Sequence, residues 1–447
     1  MSKLGDFVRV QGGYAFKSSE LSDDKTGVPV IKIGNITGGS FVDLSNYQSV
    51  SFQLFEKTKS FATKDNDILI AMTGANVGKT SRVPVNSDAY LINQRVGRFL
   101  LKEDCPYTSD FIYYVVSSKQ AYQYFSRVAD GAAQPNISGK TIEDLEFPNI
   151  DSRCANKIGN ILKSLDDKIQ LNTQINQTLE QIAQTIFKSW FIDFDPVHAK
   201  ANALASGQTL EQATQAAMAE ISGKNTQELH RLQTANPEQY QQLWEIAEAF
   251  PSGFSGYKNL GEIPIGWNVL TFKDFISESK EKIGSLEDVP EYSVGNEGIY
   301  PRSEKYNKSL SKIPEKNKVV RIGDLVFGMG SKTLNWGIMN DEIGSVSPAY
   351  FVYRIFTNIN YIYLNKYIKA KEYDFQNLIK PTSRQGQSVD KEMFLKKEIY
   401  VPNEYLLNIY LNKLKEIDSL VYSYTTEVLI LEQIRDELLP KLLSGEI

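Results

Sequence analysis

The chain has 447 residues, enough for about two to four domains, each with its own core. Hydrophobic residues at 41% and charged residues at 23% are ordinary for a soluble globular protein. With 49 Lys+Arg against 54 Asp+Glu the net charge is −5, which excludes a general polycation and leaves any nucleic-acid surface to a local patch.

The first 150 residues are rich in short apolar or alternating runs, Val28 to Ile33, Asp67 to Met72 and Tyr90 to Leu101. Turns at Gly12-Gly13, Gly38-Gly39 and Gly74 to Gly78 separate them. Phe111, Tyr114, Val115, Ala121, Tyr122 and Phe125 recur at helical spacing and predict a helix from Ser109 to Phe125. A turn-rich stretch, Gly131 to Ser138, and a short strand ending at Pro148 complete a mixed α+β domain, 1–150.

A long helix follows in 151–192, with Asp151 or Ser152 placed to cap its first amides. Ile158, Leu165, Asn172, Leu179 and Ile186 recur every seven residues, and a second row runs through Ile161, Ile175 and Ile182. That pattern marks a helix packed along another helix, with a buried Asn172 fixing register. Residues 193–260 are dominated by Ala, Gln and Glu and predict short helices at Thr209 to Ile221, Gln227 to Leu232 and Pro237 to Ala249, a helical connector.

Residues 261–402 then replay the opening. Leu4-Gly5-Asp6-Phe7 is echoed by Phe272-Lys273-Asp274-Phe275, and Lys64 to Leu69 by Arg321 to Val326. Phe111 to Tyr114 is echoed by Tyr361 to Leu364, and Ile142 to Pro148 by Met393 to Pro402. Several echoes in one order point to an internal duplication. A second long helix, 403–447, carries Leu407, Leu414, Val421 and Val428 in one row and Tyr410, Ile417, Tyr424, Leu431 and Leu438 in the other. Each seam suits the other as partner; the plainer alternative is that each helix packs only on its own domain. Antiparallel pairing would relate the two halves by a pseudo-twofold axis. Roughly forty helical residues span about 60 Å at ~1.5 Å each, comparable to about 17 base pairs at ~3.4 Å.

Motifs for catalysis are sparse. Gly74-Ala75-Asn76-Val77-Gly78-Lys79-Thr80 follows a strand-like run, but a phosphate-binding loop needs four residues between its first glycine and the Gly-Lys-Thr, and three stand here. A tight hairpin presenting Asn76, Lys79 and Thr80 is the better reading. Its counterpart, Gly328 to Thr333, keeps Lys332 and Thr333 at a different spacing, which suits a reader more than a catalyst. The only histidines, His198 and His230, have no second ligand at metal spacing, so no metal site is expected. Asp166-Asp167 and similar carboxylates read as solvated helix faces. Cys105 and Cys154 form no C-x-x-C pair, and the opening residues lack a basic-then-apolar leader pattern. With no apolar run of membrane length, the expectation is a cytoplasmic protein.

Support for nucleic-acid binding is local. Lys305, Lys308, Lys312, Lys316 and Lys318 outnumber the acids between Arg302 and Arg321, although a lysine run is often only a solvated face. Side chains suited to base edges cluster in turns: Asn93, Gln94 and Arg95; Gln134 and Asn136; and, in the second half, Arg384, Gln385 and Gln387.

Taken in order, Leu4-Gly5-Asp6, Asp67 to Lys79, Asn93-Gln94-Arg95, Ile186 to Phe191 with Phe194 to Val197, Leu260 to Trp267, Ser347 to Tyr350 and Leu438 to Gly445 resemble a specificity (S) subunit of a type I restriction-modification enzyme over nearly the whole chain. The resemblance implies two similar mixed α/β target recognition domains, each reading one half of a bipartite, asymmetric DNA site, separated by two long antiparallel helices. It implies that the helices dock two methylation subunits, which bring S-adenosylmethionine and flip out adenine. Motor-nuclease subunits using ATP and magnesium would join for cleavage, while the S subunit itself holds no cofactor and is no catalyst. The rival readings are a P-loop ATPase and a coiled-coil scaffold without sequence-specific readout. The connector from Ala199 to Phe250 is longer than a simple linker needs, and its role is left open.

Overall fold

The computed structural model describes residues 2–85, 88–129, 135–257, 259–295, 298–306, 310–311, 313–328, 335–382 and 386–444; at 376, 379–382 and 386–388 it describes the backbone alone. The chain divides into two compact units, Met1–Gln177 with Leu420–Ile447, and Thr178–Ser419. Each unit contains one sheet-bearing domain and a part of each long helix. Among the described residues no helix is long and apolar enough to cross a membrane.

In the first unit an antiparallel sheet runs in the order Val8–Gly12, Val96–Leu101, Ile68–Ala71, Thr80–Arg82. All four residues of Ile68–Ala71 are buried, because the strand is covered on both faces. Ile68 and Ile70 enter a core with Leu4, Val8, Phe111 and Phe125, while Leu69 and Ala71 enter a second core with Ile31, Val83 and Ile92. A smaller sheet, Gln48–Val50, Val28–Ile31 and Leu91–Ile92, lies on that second side.

The second unit repeats the main sheet with the same order, Ile276–Ser279, Phe351–Ile355, Leu325–Gly328, Asn335–Ile338. The duplication extends to detail. Asp67 accepts from the Lys64 amide at 2.8 Å, and Asp324 accepts from the Arg321 amide at 3.0 Å. Asp67 pairs with Arg98 at 3.2 Å, and Asp324 with Arg354 at 2.9 Å. The two arginines are not at equivalent positions: Phe99 faces Ile68 as Tyr353 faces Leu325, so Arg354 stands two residues further along its strand. Outside the main sheet the halves diverge. The second has two-stranded ladders, Tyr292–Gly295 with Gly298–Pro301 and Lys318–Arg321 with Ile343–Val346, joined by a parallel bridge between Glu291 and Ser345.

The first long helix spans Ser152–Phe191, and Asp151 caps it by accepting from the Arg153 amide at 3.0 Å. Near its start Gly159 is required: a Cβ there would lie 2.8 Å from the Phe111 nitrogen of the helix packed beside it. The second spans Glu404–Ser444, with the Asn403 side chain accepting from the Leu406 amide at 2.8 Å. Within the first unit the two run antiparallel, since Asp166 meets Arg435, Asn172 meets Glu427 and Asn176 meets Thr425. Ile158, Asn172, Leu407 and Leu414 are buried, and Leu165, Leu179, Ile186, Val421, Val428 and Leu431 are half-buried.

The second row expected on the first helix needs correction. Ile161 and Ile182 are 52% and 43% exposed. The inward row lies one residue later, at Leu162, Ile169, Asn176, Ala183 and Trp190. It includes a polar and a small residue, so a search for large apolar side chains passes it by. Other boundaries shift for local reasons. The helix expected from Ser109 to Phe125 is two helices, Ser109–Ser117 and Lys119–Ala129, because Ser118 is extended and its hydroxyl caps the second by accepting from the Ala121 amide. The run from Tyr90 to Leu101 is split by the turn at Asn93 to Arg95.

The connector has four helices, Asp195–Ala205, Leu210–Ser222, Thr226–Ala235 and Pro237–Glu248. The first of them has no side-chain cap; it starts from Phe194 in the left-handed conformation (φ 57°), so no capping residue announces it. The connector packs on the second unit's core through Phe194, Val197, Ile246 and Phe250. Buried Lys200 braces it by donating to the carbonyls of Ala247 and Phe250 at 3.0 and 2.7 Å, and burial lowers its pKa.

Candidate nucleic-acid interface

The polar turns of the first half are separated in sequence and adjacent in space. Met72 joins them: its amide donates to the Arg95 carbonyl at 2.9 Å, and its carbonyl accepts from the Ile137 amide at 2.9 Å. Gly74 donates to the Pro135 carbonyl at 3.2 Å, and Thr73 bridges to Asn136. The loop after Gly12 closes the group, with the Gln94 amide donating to the Tyr14 carbonyl at 2.8 Å. Gly13 permits this approach, since a Cβ there would sit 2.3 Å from the Asn93 carbonyl oxygen. One edge of the domain thereby displays exposed Gln94, Arg95 and Asn136 beside half-buried Asn93.

The Gly74 to Lys79 turn is the expected hairpin connection, with Ile70 opposite Thr80. Three of its later amides are already used. Val77 donates to Gly74, Gly78 to Ala71 and Lys79 to Asn76, at 2.9–3.1 Å. A phosphate cradle needs such amides pointing outward and a helix behind them; here they point into the turn, and a strand follows. The turn thus lacks the helix that a phosphate-binding loop leads into. Asn76 donates to the Ile33 carbonyl at 3.1 Å and accepts from Lys79 at 3.1 Å, so this pair also ties the turn to the neighbouring loop. Thr80 is not presented at all. It is 3% exposed, because the short strand Thr80–Arg82 is buried throughout.

In the second half Lys332, Thr333, Arg384 and Gln385 lie outside the described residues, as does Gln134 in the first. Gln387 lies in the strand Gly386–Val389, opposite Pro381. In the basic stretch Lys308 and Lys312 lie outside the described residues too, and three of the other cations are engaged. Lys318 donates to the Tyr350 carbonyl at 2.6 Å, and burial lowers its pKa. Arg321 pairs with Glu281 at 2.7 Å, and Lys305 lies over the Tyr300 ring.

Asp166 corrects the sequence reading most sharply. It is 1% exposed, not solvated, and accepts from Arg82 and Tyr114 at 2.7 Å, Arg435 at 2.9 Å and Ser40 at 3.2 Å. Arg82, also 1% exposed, reaches Asp110 at 3.3 Å and lies over the Tyr113 ring. Burial, and then the Asp166 charge, push the Tyr114 hydroxyl far up, so it stays a donor. Burial raises the Asp110 pKa against the opposing pull of Arg82. One signal was legible: Asp166 adjoins Leu165 on the inward arc between Leu162 and Ile169. Asp167 does face solvent, bonded to Lys163 one turn back.

A repeated sheet order, with part of both long helices in each unit, defines a duplicated, modular protein. Comparison with known proteins gives the family. A model of the type I restriction modification DNA specificity domain matches residues 1–181. The HindI specificity subunit of Haemophilus influenzae is 31% identical over 94% of this chain and 94% of its own. The MjaIX specificity subunit of Methanocaldococcus jannaschii is 28% identical over 38% of this chain and 41% of its own. The S subunit structure from M. genitalium covers 98% of this chain and 94% of its own at 14% identity and a TM-score of 0.48. The chain belongs to the type I restriction enzyme specificity subunits, the family that supplies DNA sequence specificity.

Proposed function

We propose that each sheet-bearing domain reads one half of a split, asymmetric DNA target, while the paired long helices set the unread gap and dock two adenine-methylating subunits. The observation that carries this is the duplicated sheet order joined to divergent loops. A shared frame approaches both halves of a site in equivalent ways, as paired DNA readers do, and different loops read different bases. The edge that gathers Asn93, Gln94, Arg95 and Asn136 would supply base contacts in the first half, with Arg suited to guanine and Asn or Gln to adenine. Asn76 and Lys79 shape the loop beside it. Lys332, Thr333, Arg384, Gln385 and Gln387 are proposed for the second half on sequence grounds. Chemistry would rest with the partners: S-adenosylmethionine on the methylating subunits, ATP and magnesium on motor-nuclease subunits.

The test is a methylome. The chain is expressed with its methylating subunit in a methylation-free host, and modified adenines are mapped. One split, asymmetric motif methylated on both strands is expected. A stable complex that binds DNA without preference and methylates nothing would overturn the reading in favour of a scaffold.

A further inference from the structure

The Asp166 cluster joins four chain segments to the first long helix, beside a core that also packs the helix Ser109–Ser117 against both long helices. Its Oδ2 accepts from Arg82, on the strand Thr80–Arg82, and from Tyr114, on the helix Ser109–Ser117. Its Oδ1 accepts from Ser40, in the loop after Gly39, and from Arg435, on the second long helix. A carboxylate has about four lone-pair sites, and all are occupied here. Arg82 cannot drift from this arrangement. Its backbone is held on both sides by the loop, with its amide donating to Ser40 and its carbonyl accepting from Val42, each at 2.9 Å.

Beside the cluster the packing is open. A groove of about 600 Å³ runs past Gly38, Gly39, Ser40, Thr173 and Gln177. Further along, the facing helices meet through polar groups, Asn172 with Glu427 and Asn176 with Thr425. Apolar contacts are non-directional and tolerate sliding. Charge-assisted hydrogen bonds with planar guanidinium forks do not. Slipping the second helix by one residue would move Arg435 by ~1.5 Å and turn it by about 100°, away from Asp166. Among the described residues the second unit has no such cluster. The position matching Arg82 is Ile338, by its pairing with Leu325 as Arg82 pairs with Ile68.

We propose that Asp166, with Arg82 and Arg435, is a positioning lock that fixes how the first recognition domain is seated on the long helices, and so makes the protein discriminate the length of the gap in its target. This rests on the split-target reading above. The lock touches no DNA; it acts by holding the reading edge at one offset.

The test maps methylation by the full complex at sites that keep both half-site sequences but vary the gap by one base pair. For the wild type, native-gap sites are modified and offset sites are not. With Asp166→Asn, the preference for the native gap is expected to fall about tenfold while the half-site bases stay the same, because the negative charge is lost and an amide NH2, which cannot accept, replaces one of the two oxygens that each accept two bonds. Ile112→Val, in the buried core of the same domain, controls for lost stability and leaves the preference unchanged. If Asp166→Asn does not assemble, Arg435→Lys keeps the charge and loses the planar fork, and a smaller drop is expected. An assembled variant of either kind with wild-type gap preference overturns the proposal. Failure of the split-target reading is distinguishable, because the wild type would then yield no split motif.

Discussion

The two recognition domains share a sheet order and both pack apolar side chains on the long helices, but among the described residues the first alone adds a buried ion cluster to that contact. In the first unit the contact combines an apolar core, with Phe111, Ile158, Leu162 and Leu442, and a buried carboxylate between two arginines, with a tyrosine and a serine completing its shell. In the second it is a cluster of rings. Phe191 packs edge-on against Tyr363 and Tyr410 at 5.6 and 5.1 Å, and Trp190 meets Phe250 at 5.2 Å. Rings contribute large buried area with loose angular demands. A buried ion cluster contributes little net stability and much geometric definition, because removing one member exposes the others' desolvation cost. The same frame is thus held by apolar burial on both sides, and on the first by direction as well.

Substitutions separate the two. Phe191→Ala should cost about 3–5 kcal/mol in urea unfolding of the second unit, by the cavity it leaves. No change of charge nearby should restore it. Asp166→Ala should cost about 3–5 kcal/mol in the first unit by stranding Arg82 and Arg435. There, neutralising the partners as well, with Arg82→Met and Arg435→Met, should recover much of the loss. Equal recovery in both units, or in neither, would erase the distinction.

A smaller effect is expected at the reading edge. Arg95→Ala should reduce discrimination at one half-site by about 1–3 kcal/mol if it pairs with a base. An equal loss on all DNA, in a binding assay with altered half-sites, would assign it to phosphate. The smallest effect concerns pH. Hydrogen bonds from Arg321 and Arg354 hold the Glu281 carboxyl below its ordinary 4.5. A depressed folded pKa contributes stability that is present above the unfolded value and lost as pH falls through the folded one. The second unit should therefore weaken in acid below about pH 4.5, and Glu281→Gln should flatten that dependence in a pH series of unfolding midpoints.

Much of the fold was legible because it rests on periodicity. The two long helices, the duplication and the hairpin at Gly74 to Lys79 each leave repeating apolar or glycine signals. The polar features were less legible for a physical reason: pattern reading treats a charged residue as solvent-facing unless a partner is visible nearby in sequence. Asp166 finds its partners at Arg82 and Arg435, far away along the chain. Thr80 was misplaced in the opposite sense, since a small polar residue on a strand buried throughout looks the same in sequence as one at a turn. The gathering of Asn93 to Arg95 with Asn136 was equally invisible, because it depends on the backbone of Met72.

The ion pair repeated in both halves carries a lesson about ancestry. Aligned column by column, Arg98 would fall against Val352 and Arg354 against Leu100, as though each copy had lost a charge the other kept. Seen from Asp67 and Asp324, nothing was lost: residues two apart on a strand share a face, so either can serve the same carboxylate. Kinship between the halves is better judged by who a residue's partner is than by where the residue stands.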